Sequence, residues 1–169
     1  MKKITLLLFV AISFYSCDER AVEEEFEKIH WERRIADVSK LDSLESGRSY
    51  LSIYSQIYSI SQHKKYNLTA MISLRNTSIT DTIYLYKANY YGTHGELLKT
   101  YITKPVYLGP LETLDIVIKE LDVSGGTGSN FLFDWKIPEH CSEPIFEGVM
   151  TSTAGQQGLS FLTQGKRID

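Results

Sequence analysis

From Tyr50 onward the apolar residues of this chain recur at every second position in short runs, and that alternation constrains the fold more than any other feature. Leu68, Ala70, Ile72 and Leu74 are separated by polar or small residues and end at Asn76-Thr77-Ser78, a turn sequence. Ile83 and Leu85 alternate with Tyr84, Tyr86, Ala88 and Tyr90 before Gly92-Thr93-His94-Gly95 closes a hairpin. Leu114, Ile116 and Ile118 oppose Asp115 and Lys119; Phe131, Phe133, Trp135 and Ile137 oppose Asp134 and Lys136. Side chains of an extended chain point to opposite faces in turn, so each run reads as a strand with one buried face. Further strands are expected at 143–151 and 158–163. Tyr50, Ile53, Tyr54, Ile57 and Tyr58 also fit a helical stripe, but Ser, Ile and Tyr dominate and no strong helix former lies between Ser52 and Ser61, so this stretch is read as strand. About seven or eight strands at roughly 8–12 residue spacing, with no helical pattern between them, predict an antiparallel β-sandwich over 48–169.

Ahead of the sandwich the texture differs. Met1-Lys2-Lys3 is a basic start and 4–12 an apolar run broken by Thr5, short of the roughly 20 apolar residues needed to span a bilayer. It reads as a secretory signal. Phe14-Tyr15-Ser16-Cys17 resembles a bacterial lipoprotein cleavage box, with Ser16 before an acylated Cys17, although Phe14 stands where Leu is usual and Tyr15 where small residues are common. The expectation is therefore a signal peptide over 1–16 and a lipid anchor at Cys17. The other cysteine, Cys141, is then left as a lone thiol of the kind usually found as a small apolar residue. Without acylation, a disulfide between Cys17 and Cys141 is the alternative.

Between them, 17–47 forms an acidic tether. It holds ten acids against five bases, whereas 48–169 holds eleven of each. Val22, Phe26, Ile29, Ile35, Val38 and Leu41 recur at three- and four-residue steps, which predicts a partly helical spacer with Trp31 outside the stripe. A balanced domain behind an acidic leader has no footprint for a phosphate backbone, so nucleic acid is excluded as the expected partner. The acidic run after Cys17 resembles surface-export signals of some envelope lipoproteins, while Asp18 directly after the cysteine resembles an inner-membrane retention signal. The extent of the acidic run favours the outer membrane.

No reaction is named by a motif. His30, His63, His94 and His140 are scattered singly with no metal-ligand spacing, so neither a metal nor another cofactor is expected. His140 beside Cys141 lacks an orienting partner. Ser124 to Asn130 is glycine-rich but lacks the Lys-Ser/Thr ending of a phosphate loop and leads into a strand; a tight inter-strand loop is the simpler reading. Asp42-Ser43-Leu44 and Asp81-Thr82-Ile83 resemble a short O-glycosylation pattern, which makes Ser43 and Thr82 candidate acceptors.

Four blocks carry a family resemblance: Ile72-Ser73-Leu74-Arg75-Asn76-Thr77; Lys104-Pro105-Val106-Tyr107-Leu108-Gly109-Pro110-Leu111; Ser124 to Phe133 with Trp135; and Glu143-Pro144-Ile145 through Gln156-Gln157-Gly158-Leu159-Ser160-Phe161. In order and spacing they resemble a bacterial family labelled only as a domain of unknown function, whose members are small secreted or lipid-anchored proteins. The resemblance spans about 50–167 and implies an all-β, immunoglobulin-like domain without catalytic residues to carry over.

The expected function is a non-enzymatic, lipid-anchored envelope protein that presents loops or an aromatic face to another envelope protein or a glycan. Ten of the eleven tyrosines lie in the domain, and Tyr joins apolar area to a polar tip at contact surfaces. Gly126, Gly128 and Asn130 of the glycine loop and Gln156 and Gln157 of a later turn are the candidate contacts. One alternative is a hydrolase of envelope polymers using Asp134, Glu143, Glu147 and His140, which requires two of them to converge in a pocket. The other is a small-ligand carrier, which requires a cavity inside the sandwich.

Overall fold

The computed structural model describes residues 29–39, 41, 43–153 and 158–169. Twelve strands are seen among them: β1 (Leu44–Ile53), β2 (Gln56–Tyr58), β3 (Lys65–Asn67), β4 (Thr69–Arg75), β5 (Ile83–Tyr91), β6 (Leu97–Ile102), β7 (Val106–Leu108), β8 (Thr113–Ile118), β9 (Ser129–Pro138), β10 (Ile145–Ser152), β11 (Leu159–Gln164) and β12 (Lys166–Arg167). The expected seven or eight is thus too few. The additions are three-residue and two-residue strands and the edge strand β6, whose side chains do not alternate between buried and exposed, so no period-two signal marks it.

The strands form an antiparallel β-sandwich. One sheet runs β12-β1-β9-β5-β6 with β7 also on β5; the other runs β11-β10-β4-β8; β2 and β3 make a separate hairpin. β9 shows the physical logic most clearly. Ser129, Phe131, Phe133, Trp135 and Ile137 are buried and the residues between them half-buried. Facing it, β4 and β10 bury Ala70, Ile72, Leu74, Phe146 and Met150. A stacked aromatic series joins the layers, from Tyr90 to Phe131 (4.9 Å between ring centres), to Phe133 (5.4 Å), to Phe146 on the opposite sheet (4.1 Å). The space that a carrier would need for its ligand is occupied by these rings. A side-chain bond also ties the sheets at one edge, where Thr163 Oγ1 donates to the Ser52 carbonyl at 2.7 Å.

The expected signal peptide over 1–16 and the Val22 and Phe26 part of the helical stripe lie outside the described residues, and the described segment 29–39 departs from the helical expectation. Trp31–Arg34 is one turn of 3-10 helix, and Ile35 is already extended and bridged to Val106 of β7. Ala36 N–H donates to the Pro105 carbonyl at 2.9 Å, Arg34 pairs with Glu112 at 2.6 Å, and Ile29 and Trp31 pack on the core. The three- and four-residue spacing of Ile35, Val38 and Leu41 therefore does not form a helix. Cross-strand pairing to β7 and packing of the half-buried Trp31 on the core outweigh a weak local propensity, and the segment covers a sheet edge that would otherwise present unpaired backbone groups. β1 begins at Leu44, inside the stretch expected to be tether. No helix of the described residues is long and apolar enough to cross a membrane.

Candidate functional site

The outer face of the six-stranded sheet is built in rows by its register. Residues opposite one another in paired strands share a face, so Tyr107, Tyr84, Lys136 and Ser46 form one row. The next holds Lys87, Asp134 and Arg48, and the one after it Asn89, Leu132, Tyr50 and Lys166. Tyr91, Asn130 and Ser52 complete the face. Five of the eleven tyrosines, Tyr50, Tyr84, Tyr86, Tyr91 and Tyr107, are thus gathered on one side of one sheet.

A β-bulge shapes the centre of this face. Leu85 lies opposite Trp135 and Lys87 opposite Asp134, so Tyr86 is an extra residue, and Tyr86 and Lys87 are both solvent-accessible between the buried Leu85 and Ala88. Such a bulge re-aims side chains that a regular strand would send to opposite faces. Beside it lies an open groove of about 580 Å³ lined by Arg48, Tyr86, Lys87, Asp134, Lys136 and Asp169, with Thr103 and Pro105 at one end.

The electrostatics of the groove follow from which charges are committed. Arg48 donates to Asp134 through two contacts, Nε to Oδ1 at 2.5 Å and Nη2 to Oδ2 at 3.1 Å, and donation to this carboxylate raises the Arg48 pKa. Lys87 Nζ is 3.7 Å from Asp134, too far for a hydrogen bond, and Lys136 Nζ lies 5.0 Å above the Tyr86 ring. Burial raises the Tyr86 pKa, which keeps the phenol neutral and able to donate. On the next row Asn89 Nδ2 donates to Tyr91 Oη at 3.3 Å, while Asn89 Oδ1 is buried without a partner.

The sequence-predicted residues are placed as follows. Gly126 and Gly128 lie in a loop whose backbone is turned inward. The Gly126 carbonyl accepts from the Ser55 and Gln56 N–H groups, Thr93 Oγ1 donates to the Gly125 carbonyl at 2.8 Å, and Gly128 N–H donates to Thr93 Oγ1 at 3.0 Å. Beneath the loop the Tyr90 hydroxyl is hydrogen-bonded to Ser55 and Ser129. Asn130 is separate from these contacts, on the outer face beside Tyr91. Gln156, Gln157 and Cys17 lie outside the described residues. Ser43 is exposed at φ 60°. Thr82 is half-buried, next to Asp81, whose Oδ2 accepts from the Ser78 and Thr80 hydroxyls. Cys141 is a half-buried free thiol, and burial pushes its pKa up.

The four acids and bases of the hydrolase alternative do not converge. Asp134 lies on the outer face of one sheet against Arg48, and Glu147 on the outer face of the other against Arg75 at 2.8 Å. Glu143 bonds the Arg167 guanidinium, and His140 stands 90% exposed beside Glu139. Each carboxylate has its own cation, and of the four only Asp134 lines the groove. Sequence reasoning anticipates an aromatic face without naming its members, and Arg48, Lys87 and Lys136 are not among its candidate contacts. Asp134 and Lys136 were legible as outward positions of one strand; that Arg48, 86 residues away, stands beside Asp134 was not.

Fold and face together define a small antiparallel β-sandwich domain with one cationic, tyrosine-rich sheet surface. Residues 46–168 match the family described as protein of unknown function (DUF3124), and the chain belongs to that family. No curated protein and no solved structure matches it.

Proposed function

We propose that this chain is a lipid-anchored envelope protein whose sandwich is a non-enzymatic binding module, taking its ligand on the outer face of the six-stranded sheet. The observation that carries the reading is the bulge that turns Tyr86 and Lys87 together into a groove already holding Arg48, Asp134 and Lys136. Tyrosine rings beside the Lys87 and Lys136 ammonium groups supply donors and flat apolar area, whereas Asp134, Glu143, Glu147 and His140 form no acid and base pair among the described residues. Acylation at Cys17 follows from the resemblance of Phe14 to Cys17 to a lipoprotein cleavage box. Docking of Ile35 on β7 then limits the distance of the domain from the bilayer. Cys17 and Ile29 are twelve residues apart, which spans at most about 40 Å of extended chain.

Two measurements test this. Intact mass of the protein from the membrane fraction of its native host is expected to show a species beginning at Cys17 and carrying a diacylglyceryl group; a soluble chain without acyl groups overturns the anchor. After detergent solubilisation the wild-type chain is expected to co-sediment with insoluble envelope polymer, and Tyr86→Ala with Lys87→Gln to abolish this. Equal retention of the variant overturns the assignment of the face.

A further inference from the structure

We infer that the ligand of this face is an acidic polysaccharide, its negative groups held by Lys87 and Lys136 and its sugar rings laid on the tyrosines. The inference rests on the reading of the outer face as the binding surface and adds the chemical class of what it binds.

Charge distribution supplies the first argument. From Arg48 to Asp169 acids and bases are equal in number, yet this face carries Arg48, Lys87, Lys136 and Lys166 against Asp134 and Asp169. The outer face of the other sheet has no such surplus, since Arg75 is paired with Glu147 and the Ser73 hydroxyl donates to Asp115. A local cationic excess on a domain of balanced charge selects for an anion at that place. Arg48 is committed to Asp134 by two hydrogen bonds, whereas Lys87 is held there only by a 3.7 Å ion pair and Lys136 only by the Tyr86 ring, so both can turn towards a carboxylate or phosphate with little loss.

The interleaving of rings and cations supplies the second. Rows follow one another at about 7 Å along the strands and neighbours at about 4.8 Å across them, and the charged row Lys87-Asp134-Arg48 lies between a row holding Tyr107 and Tyr84 and a row holding Tyr50. A polymer of sugars presents flat faces of slightly positive C–H groups, which suit the negative face of a phenol ring, together with hydroxyls and regularly spaced acids. An acidic peptide lacks the flat faces. A lipid surface is smooth and would not enter a groove bounded by Pro105 and Thr103. A surplus of two charges is small for a nucleic-acid backbone, whose affinity grows with the number of phosphates neutralised.

The test titrates the full-length chain, extracted in non-ionic detergent, with polygalacturonate, neutral dextran, single-stranded DNA and anionic phosphatidylglycerol vesicles. Polygalacturonate is expected to bind and to weaken as salt is raised, while dextran does not bind. Lys136→Gln and Tyr86→Ala are each expected to weaken binding at least tenfold, and Arg75→Gln on the opposite sheet to leave it unchanged. The side chain of Lys136 is clear of the core, so Lys136→Gln remains a readable variant if Tyr86→Ala unfolds. Binding of dextran equal to polygalacturonate, preference for DNA or vesicles, or unchanged affinity in Lys136→Gln overturns the inference. If acidic polymer fails to bind while Tyr86→Ala with Lys87→Gln still abolishes co-sedimentation with envelope material, the face stands as a binding surface and the polysaccharide assignment alone falls. If both fail, the face reading falls as well.

Discussion

The rings of Phe133 and Phe146 lie parallel at 4.1 Å, one from each sheet, and this contact joins the two layers of the sandwich near their centre. Phe133 continues through Phe131 to Tyr90, so the stack runs across the six-stranded sheet before it crosses to the other. Phe146→Ala removes a buried ring from the end of this series and leaves a cavity that neighbouring strands cannot fill. The expected loss is about 3–5 kcal/mol in urea unfolding, with the strand signature of the circular dichroism retained in the fraction that folds.

Gly47 is required by Trp135. A Cβ at position 47 would overlap the indole, which is buried, held by its Nε1–H on Ser49 Oγ at 3.0 Å and covered by the Arg167 guanidinium at 5.2 Å. The ring cannot move without breaking these contacts. Gly47→Ala is expected to cost about 1–3 kcal/mol and to shift the tryptophan fluorescence towards that of a solvated indole.

Thr93 secures the glycine loop. Its hydroxyl both donates to Gly125 and accepts from Gly128, and a Cβ on Gly126, at φ 69°, would stand 2.6 Å from it. Thr93→Val removes both bonds at an exposed position and is expected to cost about 1 kcal/mol. Gly126→Ala adds left-handed backbone strain to the clash and is expected to cost more. Amide hydrogen exchange at Ser55 and Gln56, whose N–H groups bond the Gly126 carbonyl, checks that the loop is where the loss occurs.

Two groups give stability a pH dependence at opposite ends. Burial alone would raise the Glu112 pKa, but the Arg34 guanidinium at 2.6 Å and the Gly109 N–H at 2.7 Å outweigh it and hold it below 4.5. A carboxyl depressed by folding contributes above its unfolded pKa, and that contribution is lost as pH falls through the folded value. Glu112→Gln is therefore expected to flatten the decline in stability below about pH 4.5 and to loosen the segment that docks on β7. Tyr101 behaves in the reverse sense. Burial pushes its pKa to about 12, so folding favours the neutral phenol, with full effect below the unfolded value near 10 and loss between there and 12. Absorbance titration of Tyr101→Phe against wild type is expected to remove one late-ionising phenol and the stability loss over the same interval.

Most of the sandwich was legible because burial on one face leaves a local mark. Leu68 to Leu74, Ile83 to Tyr90, Leu114 to Ile118 and Phe131 to Ile137 alternate in the sequence and are β4, β5, β8 and β9 in the structure. β6 left no such mark, because an edge strand with Leu97, Lys99 and Thr100 all exposed buries too little on either side. The helical spacing of Ile35, Val38 and Leu41 misled for the complementary reason. Three apolar residues at those steps are weak local information, and Val106, some seventy residues later, supplies a partner strand instead.

The amino-acid order by itself determined the antiparallel β class and the outward positions of Asp134 and Lys136, since both depend on period-two alternation within a single run. Tertiary structure decided the candidate face. Arg48 meets Asp134 across the β1–β9 register, Lys87 reaches it across β9–β5, and the bulge that turns Tyr86 and Lys87 to one side exists only relative to the partner strand. The difference is physical: a strand's two faces are set by the geometry of its own backbone, whereas a row of side chains across a sheet is set by hydrogen-bonded pairing between segments distant in the chain.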